Sequence, residues 1–341
     1  MGRAEAGKDS KKGAVAAGHD GAGSVSAKRF AIGAPIETHM QETGVPMPQS
    51  TRRSLVRNLG ALAMGGVLAH KGQSQESASP RKVQGNLKQS VCKWCFRNLS
   101  VEELARIASS VGIKSVELVP PEDWPTLHKY GLTCAMASHG DALRNPQIRE
   151  GLNRVENHDA WESYFKKFIE VSADAGVPNV ICFSGWRMGM SDEEGLWNCA
   201  RGIRRVIALA EQKNVTLCME LLNSKLEGLK GQYMCDHTAW GVELVKRVGS
   251  PRFKLLYDIY HMQIMEGDVI RTITDNWDYI GHFHTAGNPG RHEIDETQEL
   301  NYGAICRVLA SKGFTGFIGQ EFLPTRDPMS ALDQAFRICD V

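Results

Sequence analysis

The sequence predicts an α/β fold of the (β/α)₈ barrel type, preceded by a disordered leader. From residue 89 onward, apolar strand-like runs alternate with amphipathic helical patterns. Eight strands with eight helices over about 250 residues are typical of this barrel. An open doubly wound sheet is the alternative, but no Gly-rich phosphate loop follows the first strand. We therefore expect one barrel domain at residues 89–341.

The predicted elements follow each other in regular order. The strands lie at residues 90–95, 115–118, 133–138, 179–184, 216–221, 254–259, 280–285 and 316–321. The helices lie at residues 101–111, 124–130, 158–175, 192–213, 236–248, 269–276, 300–311 and 329–338. Ser100 precedes the first helix with Glu103 three residues later, which is the pattern of a capping box. Gly112 and Gly176 follow two of the helices and suit helix C-caps.

Charge and cysteine content narrow the class of protein. Residues 1–88 carry 13 Lys and Arg against 6 Asp and Glu, whereas residues 89–341 carry 27 against 33. The barrel domain is therefore mildly acidic, which argues against binding of nucleic acid. The nine cysteines are odd in number and mostly lie in apolar runs, which indicates buried thiols rather than a disulfide framework.

The leader at residues 1–88 has features of an export signal. Residues 1–50 are rich in Gly, Ala, Ser and Lys without apolar periodicity, which predicts disorder. Arg52 and Arg53 then precede a short apolar run that resembles a twin-arginine signal with cleavage after Ala69. The run is too short for a stable membrane anchor. We expect export to the periplasm, and the alternative is an incidental Arg-Arg pair in a cytoplasmic protein.

Four acidic or histidine residues lie near the ends of late strands, namely Glu220, Asp258, His284 and Glu321. Parallel strands of a barrel bring their C-terminal ends to one face, so these side chains converge. Three buried carboxylates repel one another unless a cation lies between them. Three carboxylates and one imidazole suit Mn²⁺ or Mg²⁺, and Co²⁺ is also compatible. The sequence therefore predicts a divalent metal site.

Further polar residues lie on the same predicted face. His261 follows Asp258 by three residues, Lys225 lies in the loop after the fifth strand, and Arg291 lies in the loop after the seventh. His139, at the end of the third strand, is a further candidate. Loops on this face hold substrates in barrel enzymes. Lys and Arg there suit an anionic or polyhydroxy substrate, so the expected partner is a small hydroxy-carbonyl or sugar molecule.

Three stretches of the chain resemble a known family. They are Tyr257-Asp258-Ile259-Tyr260-His261-Met262-Gln263, Pro289-Gly290-Arg291-His292-Glu293-Ile294 and Glu299-Leu300-Asn301-Tyr302. These stretches are similar to the hydroxypyruvate isomerases of the xylose isomerase-like barrel superfamily. The resemblance covers roughly residues 88–341, which is the whole predicted barrel.

The resemblance implies a reaction and a role for each residue. The four residues at the strand ends would bind the metal, and Glu220 and Glu321 would also form an acid–base pair. His261 and Arg291 would hold substrate oxygens. The implied reaction converts hydroxypyruvate to tartronate semialdehyde through a cis-enediolate. At the position of His284, some hydroxypyruvate isomerases carry Gln, whereas ketose epimerases of the superfamily carry His.

Several alternatives remain open from the sequence. A ketose 3-epimerase would use the same parts to move a proton on and off one carbon, and a dehydratase of the inositol pathway is a third enzyme reading. An exported sugar- or metal-binding protein could keep the site without turnover. A DNA-repair endonuclease of the superfamily would need a larger His-rich cluster and a basic groove. Barrels of this kind often associate, so a homo-oligomer is compatible with the sequence.

The position of the twin-arginine pattern predicts where translation begins. Twin-arginine signals usually start close to the N-terminus, whereas Arg52 and Arg53 lie far from Met1. We therefore expect translation to begin at Met40 or Met47. N-terminal sequencing of the native precursor measures this directly, and a precursor that begins at Met1 would contradict it.

Overall fold

The structure is a computed structural model that describes residues 83–138, 148–225 and 231–341. Residues 1–82 of the leader, which include the twin-arginine pattern, lie outside the described residues, and so does His139. The export signal and the contact of His139 with substrate therefore stay predictions. Within the described ranges, no helix combines the length and the apolar character needed to cross a bilayer.

Seven parallel strands form one sheet that positions the functional residues. The strands are β1 Lys88–Cys92, β2 Ser115–Glu117, β3 Asn179–Cys182, β4 Thr216–Glu220, β5 Phe253–Asp258, β6 Ile280–Thr285 and β7 Phe317–Gln320. Their spatial order is β2-β1-β7-β6-β5-β4-β3. Since β1 pairs with both β2 and β7, the first and last strands are neighbours, as a barrel requires.

The third predicted strand is irregular, yet it closes the barrel. It forms a parallel bridge from Thr133 to Ser115 of β2, and another from Ala137 to Val180 of β3. The backbone N–H of Ala137 donates to the carbonyl of Asn179 at 2.8 Å. This segment thus joins the two edge strands of the sheet. The predicted (β/α)₈ barrel class is therefore confirmed, with one of its eight strands reduced to bridges.

The helices follow the strands and cover the sheet. They are α1 Val101–Val111, α2 Trp124–Lys129, α3 His158–Ala175, α4 Asp192–Arg204, α5 Ile207–Lys213, α6 Thr238–Val248, α7 Ile259–Met265, α8 Val269–Asp275, α9 Tyr302–Ser311 and α10 Pro328–Cys339. The capping box at Ser100 and Glu103 is present as predicted. All nine cysteines are free and buried, which confirms the prediction of buried thiols.

Two further predicted elements differ from the structure. The first strand ends at Cys92, and residues Lys93–Cys95 form a 3₁₀ turn closed by a bond from Phe96 N–H to the Lys93 carbonyl at 3.0 Å. The helix predicted at 192–213 is two helices, α4 and α5. Their junction is a tight turn, because Val206 N–H bonds to the carbonyl three residues earlier, at 3.0 Å, instead of four.

Two glycines after helices allow a test of backbone strain against packing. Gly112 has φ +107° and Gly176 has φ +70°. A Cβ at Gly112 would meet Phe336 Cζ at 3.0 Å, whereas nothing lies within 4 Å of a Cβ at Gly176. We expect Gly176→Ala to lower the free energy of unfolding by about 1 kcal/mol through backbone strain alone. Gly112→Ala should lower it further, since the ring of Phe336 must also move. Urea unfolding measures both, and equal losses would contradict the packing contribution.

Candidate functional site

The structure brings the four predicted metal ligands together. Glu220 ends β4, Asp258 ends β5, His284 lies in β6, and Glu321 directly follows β7. One ligand atom from each lies within 4.8 Å of the others, and all four residues are buried. The sheet order explains this convergence, because β4, β5, β6 and β7 are consecutive neighbours. In the β5–β6 ladder, Asp258 and His284 are direct register partners.

The two ring nitrogens of His284 have different surroundings. Nδ1 lies 2.9 Å from Glu321 Oε2 and 3.8 Å from Glu220 Oε1. It is nevertheless buried without a well-formed hydrogen bond to any described residue. Nε2 lies 2.6 Å from Glu117 Oε1. Nδ1 is therefore placed as a ligand atom among three carboxylates, and this donor set fits Mn²⁺ or Mg²⁺.

Glu117 is a site residue that the sequence analysis missed. It ends β2 inside the barrel and contacts both histidines of β6, with its Oε1 3.0 Å from His282 Nε2. Burial alone would raise the pKa of Glu117, but the imidazoles of His282 and His284 hold it well below its usual value. A signal was present in the sequence. A charged residue that ends a buried strand meets the same criterion that selected the other three acids.

The carboxyl groups at the barrel mouth, which is the face where the C-terminal ends of the strands lie, have pKa values shifted in opposite directions. Burial raises the pKa of Glu220, and it raises the pKa of Asp258 to about 8. Burial also acts on Glu321, but the nearby charges of His284 and Arg291 hold its pKa well below the usual range. Buried acids in such proximity favour a bound cation, since a cation stabilises their ionised forms.

Arg291 contacts the cluster formed by Glu220, Asp258, His284 and Glu321, on the face of the barrel that was predicted from the sequence. Its Nη2 donates to Glu321 Oε2 at 2.6 Å and lies 3.3 Å from Asp258 Oδ2. Its guanidinium lies between the rings of Trp94 and Tyr260, 5.1 Å from each ring centroid. Two aromatic faces and two carboxylates therefore fix the orientation of this cation.

The backbone of the Arg291 loop is held in an unusual conformation. Arg291 has φ +58°, which is a left-handed conformation that side chains other than Gly rarely adopt. Its N–H donates to the carbonyl of Gly287 at 2.9 Å, and its carbonyl accepts from Leu323 N–H at 2.7 Å. The first bond closes the loop after β6 on itself, and the second ties it to the loop after β7, so the unusual conformation of Arg291 is held from both sides.

His261 borders the cluster on a helix that the sequence analysis did not anticipate. Asp258 caps α7, because its Oδ1 accepts from the His261 N–H at 3.2 Å. The ring Nε2 lies 3.1 Å from Arg291 Nη1, and Nδ1 contacts the amide of Asn223. Burial and the positive charge of Arg291 lower the pKa of His261 well below its usual value. The imidazole is therefore neutral and suited to bind substrate oxygens by hydrogen bonds.

Lys225 lies apart from the cluster in this structure. Its ammonium donates to the carbonyl oxygens of Ile264 at 2.6 Å and Met265 at 3.1 Å, in the last turn of α7. The side chain is exposed. Helix α7 was not predicted from the sequence, and the carbonyls at the end of this helix attract the ammonium. A contact between Lys225 and substrate stays a prediction.

Trp94 is a second site residue that the sequence analysis missed. Its Nε1 donates to Glu321 Oε1 at 2.7 Å, so both oxygens of this carboxylate have a donor. This role was missed because residues 90–95 were predicted to be a strand. In the structure, the 3₁₀ turn after β1 carries Trp94 over the barrel mouth.

The fold and the site together define a (β/α)₈ barrel that assembles a buried acid–histidine cluster at the C-terminal ends of its strands. Barrel enzymes place their active sites on this face. The family described as xylose isomerase-like TIM barrel matches residues 105–338, which is more than half of the chain. The chain therefore belongs to this family, as the resemblance in the sequence implied.

Individual relatives agree with the family assignment. A putative hydroxypyruvate isomerase of Homo sapiens is 29% identical over 276 residues, which cover 74% of this chain and 94% of the relative. The hydroxypyruvate isomerase of Escherichia coli (strain K12) is 26% identical over 226 residues, or 66% and 78% of the two chains. The crystal structure of AP endonuclease, family 2, from Brucella melitensis matches with a TM-score of 0.63 and 25% identity, over 72% of this chain and 97% of that chain.

The raised pKa of Asp258 predicts a pH dependence of stability. Between about pH 4 and pH 8, the folded metal-free protein keeps a proton on Asp258 that the unfolded chain has lost. The free energy of unfolding should therefore fall as pH rises through this range. Asp258→Asn removes the titrating group, so its stability should fall less steeply. Urea unfolding in the presence of a chelator at pH 5, 6, 7 and 8 measures both slopes, and parallel slopes would contradict the raised pKa.

Proposed function

We propose that this isomerase converts hydroxypyruvate to tartronate semialdehyde in a metal-dependent reaction. The class is supported by the isomerase names of the human and E. coli relatives, which match over most of their length. The observation that carries the proposal is the buried cluster of four ligand atoms within 4.8 Å of one another at the barrel mouth. A reaction that moves a proton between adjacent carbons needs a base and an acid positioned at one point, which carboxylates in this cluster can provide.

All four residues of the cluster would bind the metal, and two of them would also transfer protons. Glu220, Asp258, His284 and Glu321 would hold Mn²⁺ or Mg²⁺, and Co²⁺ is also compatible. A divalent cation at this position supplies Lewis-acid polarisation of a substrate carbonyl. The four residues come from four neighbouring strands, so the rigid sheet keeps their relative positions.

Glu220 and Glu321 are the proposed acid–base pair. Trp94 and Arg291 hold the two oxygens of Glu321 at 2.7 and 2.6 Å, which orients this carboxylate. One carboxylate would remove the proton next to the carbonyl, and the other would return a proton to the neighbouring carbon of the enediolate. This assignment requires both side chains to reach the same small substrate, which their common position at the mouth supports.

Arg291 and His261 are the proposed substrate-binding residues. Hydroxypyruvate carries a carboxylate, and a guanidinium fixed between Trp94 and Tyr260 is suited to hold a planar anion. The Nε2 of the neutral His261 faces the guanidinium and is therefore an acceptor, so it would accept a hydrogen bond from a substrate hydroxyl group. Both residues lie next to the cluster and 3.1 Å from each other, so they would hold the same end of the substrate.

A ketose 3-epimerase is the second candidate, and His284 favours it. Some hydroxypyruvate isomerases carry Gln at this position, whereas ketose epimerases of the superfamily carry His. Both reactions remove a proton beside a carbonyl, so the same four ligands would serve either one. The carbon that exchanges its proton with solvent separates the two.

Other functions find less support in the described residues. The similar structure from Brucella melitensis carries the name of an AP endonuclease, but residues 89–341 here have more acidic than basic side chains. Among the described residues, the two candidate ligand groups share His284, which favours a small site over a multi-metal cluster. A dehydratase and a binding protein without turnover are alternatives that the exchange experiment below tests.

Export remains part of the proposal. The twin-arginine pathway carries proteins that have already folded, which is compatible with metal loading in the cytoplasm. An isomerase of the glyoxylate pathway would be expected in the cytoplasm, so the leader at residues 1–88 and the proposed substrate point to different compartments.

Replacement of Glu321 by Gln tests the proposed chemistry. The amide keeps the shape of the side chain but neither removes a proton nor provides a full ligand charge. We expect Glu321→Gln to lower kcat by about 10²–10⁴-fold while the fold persists. Glu243→Gln is the matched control, because Glu243 pairs with Arg247 on the surface of α6. Near-wild-type turnover in Glu321→Gln would remove this residue from the mechanism.

Solvent-deuterium incorporation tests the reaction class. Metal-stripped protein refilled with Mn²⁺ or Mg²⁺ is incubated in D₂O with hydroxypyruvate and a small panel of ketoses, and NMR detects the exchanged carbon. We expect metal-dependent exchange with hydroxypyruvate. Exchange only at C3 of a ketose would favour the epimerase, and metal binding without exchange on any substrate would favour a dehydratase or a binding protein.

A further inference from the structure

Glu117 lies inside the barrel, and the proposed reaction gives it no direct role. Its side chain is completely buried. Its Oε1 lies 2.6 Å from His284 Nε2, 3.0 Å from His282 Nε2 and 3.5 Å from the Cys92 thiol. Its Oε2 has no hydrogen bond within the part of the chain that the structure describes. One carboxylate oxygen therefore holds two imidazoles of the same strand.

This contact determines which nitrogen of His284 faces the metal ligands. An ionised carboxylate only accepts hydrogen bonds, so the nitrogen that faces Glu117 carries a proton. When a cation is bound, the opposite nitrogen, Nδ1, would lose its proton and offer its lone pair towards Glu220 and Glu321. Histidine ligands in metal sites commonly bond to a carboxylate in this way, which fixes the ring and raises its basicity.

The contact also requires an unoccupied space on the neighbouring strand. Gly319 of β7 is the register partner of His284. A Cβ at Gly319 would lie 2.6 Å from Glu117 Oε1 and 2.8 Å from His284 Cδ2. Distances this short force a side chain to move, so any larger residue would separate the two partners. The glycine keeps room for the hydrogen bond.

We propose that Glu117 is a positioning residue that holds His284 as a metal ligand, and that Gly319 provides the space for this contact. The inference rests on the metal dependence in the proposed function and deepens it. It locates a determinant of metal affinity in the barrel interior, one side chain removed from the ligands. It does not depend on which substrate the enzyme uses.

A second metal ion bound by the same residues is the rival explanation. Cys92, Glu117 and His284 also place ligand atoms within 4.8 Å of one another. A second ion there would need His284 Nε2 as a ligand, but this nitrogen is already 2.6 Å from Glu117 Oε1. The positioning role therefore predicts one bound ion per chain, and the rival arrangement predicts two.

Two variants of the full-length chain disturb the contact, one by removing the charge of the carboxylate and the other by filling the space beside it. Glu117→Gln keeps the shape but removes the charge, and a single amide oxygen is a weaker acceptor for two imidazoles. Gly319→Ala keeps the charge but displaces the carboxylate or the ring. We expect the Kd for Mn²⁺ to rise about 10–100-fold in each variant. Competition with a chelating dye measures affinity and the number of ions per chain without any substrate.

Matched controls separate positioning from general damage to the barrel. Ser90→Ala removes a buried polar group of the neighbouring strand β1 whose hydroxyl has no hydrogen bond in the described ranges. Gly303→Ala adds a Cβ in α9 that meets nothing closer than Arg307 Nη1 at 3.5 Å. Both controls should bind Mn²⁺ within about twofold of the wild-type affinity. Circular dichroism and Tm identify any variant that does not fold.

Activity provides an independent readout of the positioning role. In Glu117→Gln, excess Mn²⁺ should restore most of kcat, while the Mn²⁺ concentration for half-maximal activity rises with the Kd. Wild-type affinity in folded Glu117→Gln and Gly319→Ala would overturn the proposal. So would two ions per chain, or a kcat that stays low when Mn²⁺ is bound. If the wild type binds Mn²⁺ but isomerises no substrate, the affinity result still supports Glu117 while the proposed function fails.

Discussion

The structure depends on the burial of several carboxylates at one end of a barrel. The ligand atoms of Glu220, Asp258 and Glu321 lie close enough together to bind one cation, and each residue is almost fully buried. Burial opposes ionisation, so the protein must supply positive charge and hydrogen-bond donors at this point. Arg291 and His284 supply them from adjacent loop and strand positions. The aromatic rings that hold Arg291 and the bonds that tie its loop serve the same need.

Strand β6 connects the mouth of the barrel with its interior. His282 and His284 are two residues apart, so both point inward at successive depths. Their shared partner, Glu117, belongs to β2, which is separated from β6 in the sheet by β1 and β7. A contact between strands so far apart in the sheet is possible only across the lumen of a closed barrel. The polar interior is therefore a direct consequence of closure, and it gives the cluster a rigid base.

The sequence allowed prediction of the barrel and of the four residues that converge, because both depend on strand periodicity. Alternation along β6 places His284 inward, and parallel order places Glu220, Asp258 and Glu321 at the same end. Local deviations from that periodicity were not predictable. The 3₁₀ turn that carries Trp94 over the mouth begins inside an apolar run, and only the tertiary contact with Glu321 reveals its purpose.

The partners of the remaining charged residues depend on packing between distant segments. Lys225 was expected near substrate because of its loop, but it bonds to carbonyls of α7, a short helix whose hydrophobic pattern merges with the end of β5. Glu117 belongs to a strand of only three residues, too short to display a clear alternation. Its partners lie 165 and 167 positions away along the chain. Such pairings follow from the closed sheet: the sequence can mark Glu117 as a candidate, but it does not show which residues Glu117 contacts.

The wide separation of these contacts along the chain has a consequence for biosynthesis. Trp94 and Glu321 are 227 positions apart, and β1 pairs with β7, which is the last strand to leave the ribosome. Closure must therefore wait until nearly the whole barrel has been translated, and topologies dominated by such contacts fold slowly. Before that moment the acidic side chains are hydrated separately and bind ions weakly. Capture of the proposed cation would thus be a late event, coupled to the final docking of the two ends of the sheet.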